Sequence, residues 1–131
     1  LLGDKRPILR VQTLAKILVN ASLAQSLYNF RGPLIREMCA QGHAVHATAP
    51  AISDEDADCI RALGATPHEV PLERNGLGPF SDLNYLLALW RLIGELAPDR
   101  LLNYTIKPNI WGSIAGRMRG VATTSMVTGL G

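Results

Sequence analysis

Only two cysteines occur in the 131 residues, too few and too badly spaced for a disulfide scaffold or a zinc knuckle. Cys39 and Cys59 make no CxxC pair and have no flanking histidine cluster, so they read as reduced, buried thiols of a cytosolic protein. No apolar run approaches the roughly 18 residues that a bilayer span requires. The N-terminus, LLGDKRPILRVQTLAK, brings charges before any apolar stretch and lacks the core of a secretory signal. The chain opens on Leu rather than Met, which suits either a piece of a longer polypeptide or an odd translation start. A net charge of +2, with Lys and Arg scattered apart from Arg117 and Arg119, gives no reason to expect nucleic acid as a partner.

Motifs of the common nucleotide enzymes are also missing. No GxGxxG follows the first apolar run, where a dinucleotide fold needs it to admit a pyrophosphate. The GLGPFS of residues 76–81 has the wrong continuation and no strand directly before it. There is no Walker A lysine and no GxSxG nucleophile elbow. His43, His46 and His68 have no metal-ligand spacing and are expected to be structural, with no metal and no cofactor called for. No pair of acids falls where a general base would be wanted, so no catalytic residue is named.

What is present is an alternation of two periods. KILVN (16–20), AVHATAP (44–50), ATPHEVPL (65–72), DRLLNYT (99–105) and ATTSMVTG (122–129) read as strands. The third, with two prolines, belongs near a sheet edge. Between them lie helical patterns. Leu34, Ile35 and Met38 follow Pro33 and end at Gly42. Residues 53–64 crowd acids at their N-terminus, as a helix macrodipole favours. From Ser81 onward, Leu83, Leu86, Leu87, Trp90, Ile93 and Ala97 form one apolar stripe, ended by Pro98. Residues 107–120 open on Pro108 and close on Gly120, with Gly112 and Gly116 placed to let that helix approach a sheet closely. Strand and helix in turn predict an α/β Rossmann-like domain, a parallel sheet with helices on both faces. The domain is placed at 15–131, after an N-terminal extension at 1–14.

In such sheets ligands bind outside the carboxyl ends of the strands, at the reversal of strand order. The loops to inspect are therefore Asn20–Pro33 after the first strand, Tyr104–Asn109 after the fourth, and Thr128, Gly129 and Gly131 after the fifth. All three are expected to open on one edge. Asn29, Phe30, Arg31, Gly32 and Pro33 can be a helix entrance, with Phe30 as its staple, or a handle for a ligand. Arg31 is the residue that a helix entrance does not explain, because a cation is mildly unfavourable there. Lys107, just before Pro108, can favour a phosphate or carboxylate, or be a solvated loop lysine.

Taken together, KILVNAS, YNFRGPLIREMCAQGHAVHATAP, LERNGLGPFSDL, NYTIKPNIWGSIAGRMRGV and MVTGLG resemble the N-terminal domain of family 4 glycosyltransferases of GT-B architecture, over about residues 15–131. The nearest subgroup is the one that builds bacterial capsule, O-antigen and other lipid-linked glycans. The resemblance implies an enzyme moving a sugar from a nucleotide donor to a glycan or polyprenyl-pyrophosphate acceptor. This chain would be the acceptor-binding half, inactive alone, and the nucleotide sugar would be bound mainly by a C-terminal domain carrying two glutamates. Carried over by position, it implies that Asn29, Arg31, Gly32, Thr105, Lys107, Asn109, Thr128, Gly129 and Gly131 face the cleft. It also implies a cytoplasmic protein in peripheral contact with the inner membrane leaflet. Two departures are plain: Asn103-Tyr104 stands where many relatives have His-Thr or His-Ser, and no histidine occurs from Ser125 to Gly129. A nucleotide-sugar 2-epimerase and a non-catalytic Rossmann-like binding module are the alternatives.

Overall fold

The computed structural model describes residues 14–72 and 79–126. Five strands, β1 (Lys16–Asn20), β2 (Ala44–Ala49), β3 (Thr66–Glu69), β4 (Arg100–Tyr104) and β5 (Ala122–Met126), form one sheet in the order β3-β2-β1-β4-β5. Every neighbouring pair is parallel. The Rossmann-like expectation holds, and the reversal of strand order falls between β1 and β4. β3 takes the edge that its prolines suggest, with Pro67 inside it.

Alternation along β1 separates two cores. Ile17 and Val19 face one side, with Leu27 of α1 (Ala24–Asn29), Ile35 of α2 (Gly32–Ala40) and Ile60 of α3 (Asp54–Ala62). Leu18 faces the other, with Tyr85, Leu89 and Ile93 of α4 (Pro79–Leu96) and Ala115 of α5 (Ser113–Met118). Ser53 caps α3 in a reciprocal capping box with Asp56. The Tyr28 hydroxyl donates to Asp56 Oδ1 at 2.6 Å and so ties α1 to that cap. The bond to Asp56 pushes the Tyr28 phenol up to about 12, and the same bond holds the Asp56 carboxyl below its usual range.

The structure departs from the sequence reading in four places. The opening stretch is a junction between two helices, α1 and α2, because Pro33 restarts the helix after Phe30 and Arg31 both turn their N–H groups to Ser26 O. Phe30 is 70% exposed and is no staple. On α4 the buried stripe is Tyr85, Leu89 and Ile93, while Leu83 and Leu87 are exposed. That helix is apolar on nearly every side, so periodicity alone does not set its phase, and the large Tyr85 ring takes the centre. Cys59 is exposed rather than buried, and Cys39 is half-buried.

The glycines of the last helix act as expected. A Cβ on Gly116 would lie 2.5 Å from both Leu101 Cδ1 and Thr123 Oγ1. One on Gly112 would collide with the Asn103 amide.

His46 Nδ1 and His68 Nε2 lie 2.9 Å apart and join β2 to β3. Burial lowers the pKa of both; His68 and Lys16 add to the effect on His46, and Glu95 opposes it at His68. With folded values below the unfolded ones, the pair favours the folded state above an unfolded pKa of about 6.5. That contribution is lost as pH falls through the lowered values. The urea midpoint should therefore drop between pH 7.5 and pH 5.5, and drop less in a His46→Gln/His68→Gln chain.

Candidate functional site at the carboxyl edge

β1 and β4 each carry an apolar run that ends in asparagine, and the register sets Asn20 opposite Asn103. Both amides are wholly buried, as is Thr48 at the end of β2. A buried amide is costly unless bonded, and two bonds link these three side chains in a row. Thr48 Oγ1 donates to Asn20 Oδ1 at 2.7 Å, and Asn20 Nδ2 donates to Asn103 Oδ1 at 2.5 Å. Asn103 Nδ2 is left buried with no partner.

Directly above this row the backbone is strained. Thr105 has φ +70°, a left-handed value that a β-branched residue rarely adopts. Its Oγ1 lies 2.8 Å from Ser22 Oγ and 2.5 Å from Tyr104 O. Pro108–Gly112 then forms a π-helical turn before α5, where a plain α-helix is expected from the sequence. Such turns are frequent at functional sites.

Arg31 lies over the Tyr104 ring, 4.3 Å from its centroid. This stacking accounts for a cation at the start of α2, and it leaves the guanidinium N–H groups without a carboxylate partner among the described residues. The Tyr104 hydroxyl is buried with no partner. Burial pushes its pKa up, with Arg31 pulling the other way, so it is a protonated donor at neutral pH.

Two bonds tie this edge together, while the loop after β5, expected to join it, lies outside the described residues. Thr105 joins the loop after β4 to Ser22 after β1, and Asn109 Nδ2 donates to Met126 O at the end of β5 at 3.0 Å. Arg31 and Thr105 meet at Tyr104. Lys107 is held away from solvent by Asp82 at the start of α4, 2.8 Å distant. Asn109 Oδ1 is buried without a partner. Asn29 is exposed at the end of α1, and Gly32 is buried, with Leu63 the side chain a Cβ there would meet. Thr128, Gly129 and Gly131 lie outside the described residues, as do residues 1–13 of the N-terminal extension.

The sequence reading missed Thr48, put Tyr104 only among the loop residues to inspect, and gave Asn103 no place at the site. The available signal was an asparagine closing each of two buried strands. An open cleft of about 830 Å³, lined by Ser113, Arg117 and Ala122 among others, lies at the opposite end of β5.

Residues 16–131 match the model of the family described as glycosyl transferase 4-like. The chain belongs to that family. No curated protein sequence matches it. Several solved structures share its fold, among them these three. A UDP-N-acetylglucosamine 2-epimerase is 17% identical over 88% of this chain and 34% of its own, with a TM-score of 0.68. CalG4, the calicheamicin glycosyltransferase, is 18% identical over 89% of this chain and 33% of its own, with a TM-score of 0.66. MurG of Acinetobacter baumannii is 16% identical over 86% and 34%, with a TM-score of 0.64. The chain thus spans about a third of the length of these GT-B and GT-B-like structures. At these identities the likeness concerns the fold alone.

In this family member the strain at Thr105 can be read by substitution. Thr105→Gly and Thr105→Ala both remove the hydroxyl, and alanine is ordinarily the more stable of the two. Here glycine should be the more stable by about 1 kcal/mol, because only glycine adopts this φ freely. Urea unfolding of the two variants measures the difference.

Proposed function

We propose that this chain is the acceptor-binding half of a glycosyltransferase. It would transfer a sugar from a nucleotide-sugar donor to a glycan or polyprenyl-pyrophosphate-linked acceptor. The observation that carries the reading is the Arg31–Tyr104–Thr105–Ser22 cluster at the reversal of strand order. It offers a guanidinium fork for a phosphate or hydroxyls, a buried phenol as donor, and two hydroxyls. A retaining transfer can use the leaving phosphate as its own base, so the acceptor half need only orient a hydroxyl and exclude water.

The exposed side chains of the same rim support a lipid-linked acceptor. Phe30 and Ile106 are each 70% exposed, on either side of the Arg31–Tyr104 pair. In this reading they meet the lipid or the inner leaflet while Arg31 meets a phosphate, and the enzyme works peripherally at the cytoplasmic face. No helix among the described residues is long and apolar enough to cross a membrane. The nucleotide sugar would be held mainly by a second domain.

An epimerase is the second reading, favoured by the fold shared with a UDP-N-acetylglucosamine 2-epimerase. Proton abstraction at a sugar carbon needs a poised base. Asp82, the carboxylate beside Lys107 in the loop after β4, is already paired with that lysine, which favours transfer.

The test uses the full-length polypeptide with nucleotide sugars and a lipid-pyrophosphate acceptor. Arg31→Ala should raise the acceptor KM about tenfold or more, the scale of a lost charge-assisted hydrogen bond, and leave the donor KM unchanged. An unchanged acceptor KM would sink the assignment.

A further inference from the structure

The row Thr48–Asn20–Asn103 crosses three strands and ends beneath the π turn that carries the loop after β4. Gly112 sits so close to Asn103 that any Cβ there would strike the amide oxygen and carbon. The amide therefore sets how near Gly112 can come to the sheet. Because Asn103 Oδ1 is fixed by Asn20, and Asn20 Oδ1 by Thr48, the amide cannot rotate without breaking a buried bond. The turn is also tied elsewhere, with Trp111 packed against the core that holds Tyr85 and Leu89. Asn109 N bonds to Thr105 O, and Asn109 Nδ2 to Met126 O. At Gly112, however, the neighbour that limits approach to the sheet is the Asn103 amide.

We propose that Asn103 is the positioning residue of the turn at Pro108–Gly112, and that Asn20 and Thr48 act through it to set where Lys107 and Asn109 stand at the carboxyl edge. That this edge is an acceptor site rests on the function proposed above; the control of the turn does not. Asn103 touches no ligand in this scheme, since Gly112 covers it. Its role is to hold the backbone at one height above the sheet. The relay explains why three polar side chains occupy strand ends that would otherwise be apolar, and why Gly112 has no side chain.

The first experiment follows backbone hydrogen exchange in this chain. Thr48→Val keeps the side chain's shape but removes the donor two strands from the turn. It should speed exchange of the amides of residues 109–113 at least tenfold more than exchange of the chain's slowest amides. Val45→Ala, on the opposite face of the same strand, weakens the core without touching the relay and should speed both groups alike. Equal behaviour of the two variants would overturn the proposal. Gly112→Ala should speed exchange of the turn as well, and Gly112→Ala/Asn103→Ala should slow it again by making room. Additive effects in this cycle would also count against the relay. Should Gly112→Ala fail to fold, the Thr48→Val and Val45→Ala comparison still decides. In the full-length enzyme, Thr48→Val should raise the acceptor KM while kcat changes little. A fast-exchanging turn with an unaltered acceptor KM would uphold the positioning role and overturn the acceptor assignment.

Discussion

Parallel strands buried on both faces have apolar side chains along most of their length, and their carboxyl ends are where polar groups can gather. The bond between Asn20 and Asn103 joins the two strands at which the direction of winding reverses. It costs the desolvation of two amides and returns a fixed register at that seam. The loop after β1, the strained Thr105 and the π turn all take their positions from the ends of these two strands. Disturbing the pair would move several loops at once.

The division of labour around the seam follows from chemistry. Hydroxyls, a phenol and a guanidinium collect on one side of the rim, and the Lys107–Asp82 pair closes the other. Donors and acceptors of this kind suit the binding and orientation of a ligand, the role proposed for them above. Membership of the glycosyl transferase 4-like family says what kind of sheet this is. The side chains at the seam say what this half of a cleft can contribute.

Strand and helix order, the parallel sheet, the edge placement of β3 and the close approach at Gly112 and Gly116 were all readable from local pattern. Each depends on residues near one another in the sequence, or on a rule of chain winding. The phase of α4 was not, because Leu83, Leu87 and Tyr85 compete for one face and only the packed sheet decides. Nor was the split of residues 24–40 into two helices, since no side chain caps either start. At the site, Arg31 and Thr105 stood out locally by charge and by position. Thr48, Asn20 and Asn103 become a unit only when 28 and 83 residues of separation are folded away. Lys107 appeared free in the sequence because its partner lies 25 residues back, on another helix.

The two margins of the sheet are not alike. β3 carries Pro67 and is followed by Pro71, which withholds backbone donors on that side. β5, with the sequence ATTSM, has neither proline nor charge and is largely exposed. Its outer edge can accept a further strand, whereas β3's is blunted against one. The sheet therefore has a direction of growth, and any strand joining it, from the same polypeptide or another, would add beside β5. Asn109 is bonded to the last residue of that strand, so an addition there would be felt at the rim of the cleft.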